Sequence, residues 1–149
     1  MTGRVFVDTN VWVYAVDAGE QVKRARALDV LKPAPQKDYV VSTQVLGEFY
    51  TTVTGKLRQA VSLAQAQALI NLMKGLSVVA IDLPLVEAAI EGVSRWGISY
   101  WDALIVAAAS SAGCGVLLTE DLSDGATYGA IRVENPFRDL TSVGTLSRG

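Results

Sequence analysis

The chain has 149 residues, half of them hydrophobic, with a mean hydropathy of +0.30 and a net charge of −2. That suffices for one ordinary core and argues against disorder, while the longest apolar run, residues 103–109, is far too short to cross a bilayer. Histidine is absent and Cys114 is the only cysteine, which excludes a Ser-His-Asp triad, a histidine-bearing zinc site and an intrachain disulfide.

The first strand-like run, residues 4–7, ends on Asp8-Thr9-Asn10. Asp8 or Thr9 would cap the helical turn beginning near Asn10, but a cap needs one polar residue rather than three. The triplet therefore reads as a functional carboxylate, with Thr9 and Asn10 orienting it through hydrogen bonds. No basic-then-apolar leader opens the chain, because Arg4 passes at once into the strand, and a soluble intracellular, cytoplasmic protein is expected. Helical spacing runs over 22–31 and stops before Pro33-Ala34-Pro35, and 32–38 reads as a loop.

A second strand-like run spans 39–42. The helix expected over 44–57 carries Val45, Leu46, Phe49, Val53 and Leu57 on roughly one face. Glu48 lies among them; a helical glutamate is ordinarily solvated, but these neighbours indicate a covered position. Ser62-Leu63-Ala64-Gln65 has the form of a capping box opening a helix to about residue 74. Strand-like residues follow at 77–81, and a helix over 83–96 begins near Asp82 and Pro84 and stops at Gly97.

The helix over 99–112 opens with Ser99-Tyr100-Trp101-Asp102, a second capping box in which the Asp102 carboxylate would reach back to the Ser99 amide. That role is compatible with cation binding, since a helix N-terminus keeps a carboxylate ionised. The run at 116–119 leads into Glu120, Asp121 and Asp124, any of which could serve a site, and Thr119 would orient whichever faces inward. Residues 123–129 read as a loop and 130–133 as the fifth strand. One domain over 1–140 is expected, with 141–149 a flexible C-terminal tail.

Strands alternating with helices indicate an α/β sandwich with a mostly parallel sheet. In such sheets ligands collect beyond the carboxyl ends of the strands, where strand order reverses. Asp8 and Asp121 both stand just past such ends and converge if the first and fourth strands are neighbours. Two carboxylates 4 Å apart repel by about 4 kcal/mol at an effective dielectric near 20, so gathered acids require a cation. Oxygen ligands favour Mg²⁺ or Mn²⁺. Setting Asp8, Glu48, Asp102 and Asp121 aside leaves eleven acids against thirteen Lys plus Arg, so the remaining surface is mildly basic and admits a nucleic-acid partner.

The ordered set Asp-Thr-Asn after strand one, Glu on an early helix, Ser-x-x-Asp opening a later helix and Thr-x-Asp after strand four resembles the PIN-domain ribonucleases, in particular the VapC-type toxins of toxin–antitoxin pairs. The resemblance spans Val5 to about Phe137. It implies a three-layer sandwich around a five-stranded parallel sheet in order 3-2-1-4-5. It also implies an acidic quartet of Asp8, Glu48, Asp102 and Asp121 holding Mg²⁺ or Mn²⁺, supported by Thr9, Asn10 and Thr119; Asp121 is favoured over Glu120, and the role of Asp124 stays open. Hydrolysis of an RNA substrate, a cognate antitoxin and a homodimer are further implications.

Trp12, Tyr14, Tyr100 and Trp101 would flank the site, as core or subunit contacts rather than base-stacking platforms. Lys23, Arg24, Arg26, Lys56 and Arg58 would contact phosphates or simply be solvated. Among rivals, a haloacid-dehalogenase-like phosphotransferase would need a second Asp where Asn10 stands. A dinucleotide-binding domain would need a Gly-rich first turn, which is missing. A catalytically inactive PIN-like binding module is the alternative from another class.

Overall fold

The computed structural model describes residues 3–140; the expected tail, 141–149, lies outside them. Six strands form one sheet in the order β3-β2-β1-β4-β6-β5. These are β1 (Gly3–Val7), β2 (Lys37–Ser42), β3 (Ser77–Val79), β4 (Val116–Leu118), β5 (Thr127–Tyr128) and β6 (Ile131–Glu134). The first four and β6 run parallel, which is the expected five-strand order.

The sixth strand is a departure. Thr127 and Tyr128 pair antiparallel with β6 from inside the segment expected to be a loop. Gly129, at φ +63, opens the two-residue turn between them. Two residues are too few to leave a period-2 pattern in a sequence.

Helices α1 (Thr9–Tyr14) and α2 (Gln21–Val30) connect β1 to β2, and α3 (Thr43–Thr51) and α4 (Leu63–Lys74) connect β2 to β3. Helices α5 (Leu83–Trp96) and α6 (Tyr100–Ser111) lead from β3 back to β4. Because a parallel crossover is right-handed, reversing direction after β3 sends α5 and α6 to the opposite face. Side-chain contacts agree: Tyr39 of β2 donates its hydroxyl to Val30 O of α2, whereas Arg4 of β1, adjoining Val5, the register partner of Tyr39, and so facing the other way, donates to Ala112 O at the end of α6.

Local chemistry sets the helix ends. Ser42, Ser62, Asp82 and Ser99 each accept from a first-turn amide, and Gly97 closes α5 at φ +66. The helix expected over 44–57 is not uniform. After Thr51 it widens into a π turn, Thr52–Lys56, closed by Leu57 N–H on Thr52 O at 3.0 Å. Thr51 and Thr54 turn their hydroxyls back onto Glu48 O and Tyr50 O, competing with the helical amides where Thr-Thr-Val-Thr already resists an α turn. Phe6, Trp12, Val40, Phe49, Leu117, Ile131 and Phe137 fill the core, with Cys114 buried and unpaired beside them. Among the described residues no helix is long and apolar enough to cross a membrane.

Candidate metal centre and active site

The site grows from the seam between β1 and β4. Val7 pairs with Leu118, and the Asp8 amide extends the ladder by donating to Leu118 O at 3.0 Å. The residues that follow each strand therefore emerge side by side. Asp8 is 5 % exposed and Thr119 fully buried. The Asp8 carboxylate caps α1, accepting from Thr9 N at 2.7 Å on Oδ1, and accepts from the Thr119 hydroxyl at 2.8 Å on Oδ2. Capping and site formation are thus the same act.

Thr119 Oγ1 in turn accepts from Asn10 Nδ2 at 3.1 Å and from Asp121 N at 3.0 Å. With both acceptor positions taken, its single proton is committed to Asp8. Asn10 also accepts from the Glu120 amide at 3.4 Å. Glu48 is held from both sides, by the Thr9 hydroxyl at 2.7 Å and by Gln44 Nε2 at 3.2 Å. Gln44 Nε2 lies 3.4 Å from Trp101 O as well, tying α3 to the first turn of α6. The sequence reading overlooked Gln44; its place one turn before Glu48 was the available signal.

Asp102 differs from expectation in one respect. Ser99 Oγ accepts from the Asp102 amide at 3.1 Å, but the return bond of the box is not formed, and the Asp102 carboxylate accepts no hydrogen bond among the described residues. A partly exposed first-turn carboxylate can be solvated instead of folding back on its own cap.

Electrostatics links these acids in pairs, each charge opposing the next. Burial raises the Asp8 carboxyl to about 7, opposed by the Thr119 and Thr9 hydrogen bonds and reinforced by the charges of Asp121 and Glu48. Asp121 is also raised, first by burial; Asn10 opposes this, and the charges of Asp102, Glu120 and Glu48 add to it. Asp8 thus senses Asp121 and Glu48, and the more exposed Asp121 senses Asp102, Glu120 and Glu48.

The three acids after β4 are sorted by their partners. Glu120 is held by the Tyr14 hydroxyl at 2.5 Å and by Lys23 at 3.1 Å, with the Lys23 ammonium 4.7 Å above the Tyr14 ring. Asp124 accepts from Asn135 N at 2.8 Å and pairs with Arg138. Asp121 alone of the three lines the cleft that holds Glu48, a space of about 530 Å³ between α1 and the α3–π turn wall. Lys23, Arg24 and Arg26 are consequently engaged: Arg24 lies 3.4 Å from Ala15 O, and Arg26 donates to Pro136 O at 2.7 Å. Trp12 is core, with Nε1 on Val7 O, whereas Trp101 stands 62 % exposed against Tyr100.

The donor set suits a hard divalent cation. It offers only oxygen ligands, a buried carboxylate whose charge is costly alone, and an Asp102 carboxylate with free lone pairs. Gln44, whose Nε2 donates to Glu48, keeps its buried Oε1 without a donor among the described residues, an acceptor that a hydrated ion would satisfy. Among the described residues no three acids already stand close enough to hold a metal ion between them.

The PIN domain family profile matches residues 5–123. The chain belongs to the PIN domain family. Solved structures similar to this PIN domain include a toxin–antitoxin complex from Klebsiella pneumoniae, at 20 % identity and TM-score 0.64, covering 89 % of this chain and 97 % of that one. VapC20 of Mycobacterium tuberculosis, a sarcin-ricin-loop-cleaving toxin, is 26 % identical at TM-score 0.60, covering 76 % and 86 %. VapBC2 of Rickettsia felis bound to a promoter DNA fragment is 19 % identical at TM-score 0.59, covering 89 % and 98 %. No curated protein matches the sequence.

Proposed function

We propose that this PIN domain is a Mg²⁺- or Mn²⁺-dependent endoribonuclease, the toxin of a toxin–antitoxin pair acting in the cytoplasm. The observation that carries the reading is Asp8: a carboxylate buried at the seam of β1 and β4, flanked by Glu48 and Asp121, beside a cleft open to substrate. Membership of the PIN family and the likeness to VapC20 support the reaction, and the toxin–antitoxin complexes among the similar folds support the partner.

In this mechanism Asp8 and Asp121 would hold the cation, and Glu48 and Asp102 would bind it directly or through water. A divalent ion there supplies a Lewis acid that activates water and offsets the negative charge developing on the phosphoryl oxygens. Thr119 and Thr9 keep Asp8 in one orientation, so both of its oxygens retain a lone pair for coordination. Thr9 and Gln44 do the same for Glu48. Asp102, whose lone pairs are free of protein donors, takes the proton from the attacking water. The chain also pairs as a homodimer, and the antitoxin covers the cleft.

The deciding experiment incubates purified protein with RNA, including a sarcin-ricin-loop oligonucleotide, with Mg²⁺ or with EDTA. Cleavage that needs Mg²⁺ and disappears in Asp8→Asn supports the reading. Tight RNA binding with no turnover under any divalent ion would replace it with an inactive binding module.

A further inference from the structure

We infer that Lys56 is the substrate-positioning cation of the cleft, holding an RNA phosphate next to the scissile one, and that the π turn exists to aim it there. This rests on the RNA-cleaving reading above. Asp17 and Glu20 border the cleft from the α1–α2 connection, Glu48 and Asp121 from the site, and Lys56 is the one cation among its lining residues. Lys56 is exposed and has no ion pair among the described residues. A polyanion entering this space is repelled by the α1–α2 side and drawn toward the end of the α3 wall.

The backbone explains why Lys56 is there. In a continuous α-helix, residue 56 would stand about 80° around the axis from residue 48 and turn away from Glu48. The π turn over Thr52–Lys56 carries more residues per turn, so it rotates less per residue and cancels much of that drift. Glu48, Thr51, Thr52 and Lys56 accordingly all line the same cleft, running from the acids to the cation. Lysine, a mobile point charge, suits a phosphate whose position varies with sequence.

The test compares wild type with Lys56→Ala, Lys56→Gln, Lys56→Arg and, away from the cleft, Lys74→Ala. Cleavage of a single-stranded RNA is followed in Mg²⁺, and anisotropy of the same RNA is measured against salt in EDTA, where no turnover intervenes. Lys56→Ala and Lys56→Gln should raise KM several-fold with kcat unchanged, and flatten the slope of log affinity against log salt by about 0.7, as for one lost phosphate contact on a single strand. Lys56→Arg should stay near wild type and Lys74→Ala should match it. Unaltered KM and salt slope in both neutral variants, with wild type cleaving normally, would overturn the assignment; so would a fall in kcat alone. If wild type neither cleaves nor binds RNA, the parent reading falls first, a result distinct from either.

Discussion

The hydroxyl of Thr119 and the carboxylate of Asp8 meet at 2.8 Å across the seam of two adjacent parallel strands, 111 residues apart in sequence. Thr119 has no other direction for its proton, because Asn10 and the Asp121 amide occupy its acceptor side. Thr119→Val keeps the shape and removes all three bonds, leaving buried groups unpaired at a cost of about 1–3 kcal/mol each before relaxation. Chemical denaturation should show a loss in that range, and calorimetric titration should show Mn²⁺ affinity weaker by about 10- to 100-fold. Thr119→Ser should recover most of both. A valine variant with wild-type Mn²⁺ affinity would remove Thr119 from the site.

Asp8→Asn separates a ligand from a structural acid. A carboxylate that burial has raised to about 7 is a liability in the metal-free fold at neutral pH. The amide removes that charge but offers one acceptor where the carboxylate offered two, so part of the relief is lost. The variant should melt no lower than wild type in EDTA, while cleavage falls by at least about 100-fold, as expected when a metal ligand is lost. A large drop in Tm would mean that Asp8 chiefly holds the α1 cap together.

The same carboxyl fixes the pH dependence. Its folded pKa, about 7, lies above the ordinary 3.8, so between these values the folded state binds more protons than the unfolded one. Metal-free stability should therefore fall as pH rises from about 4 to about 7, by at most about 4 kcal/mol for the full shift. Asp121 is raised as well and acts in the same direction. Saturating Mg²⁺ binds the ionised form and should flatten the decline. Urea unfolding at pH 4.5 and 7.5, with EDTA or Mg²⁺, checks this, and a metal-free protein more stable at 7.5 would contradict it.

Much of this arrangement was legible because strand ends are legible. Val5-Phe6-Val7 before Asp8 and Val116-Leu117-Leu118 before Thr119 are apolar runs with abrupt polar ends, and adjacency of those strands brings Asp8 and Thr119 together. What escaped depends on contacts or on short elements. The pairing of Thr127 and Tyr128 is two residues long, and the π turn changes no apolar spacing that a helix would not also allow. Lys23 looked like any solvated basic residue of α2, because its partners Tyr14 and Glu120 lie 9 and 97 residues away. Asp102 was read as half of a reciprocal box, but the pattern Ser-x-x-Asp cannot show which of the two bonds forms.

Glu120 and Asp121 are neighbours in sequence and opposites in environment, which makes them the sharpest comparison available. Glu120 turns from the cleft into the clamp formed by Tyr14 and Lys23, each of which bonds a different carboxylate oxygen. Glu120→Gln keeps an acceptor for one of these and loses the ion pair. Lys23 and Glu120 are both less than a quarter exposed, so the cost should exceed the roughly 0–1 kcal/mol of a surface pair without reaching the 3–5 kcal/mol of a fully buried one. Its effect should be on Tm, with RNA cleavage and Mn²⁺ affinity close to wild type. Asp121→Asn should do the reverse, abolishing cleavage while leaving Tm unchanged or higher, because it removes a charge that Glu48 and Asp102 oppose. If Glu120→Gln abolishes cleavage with Tm intact, the acid serving the metal centre is Glu120, and the clamp must open for catalysis.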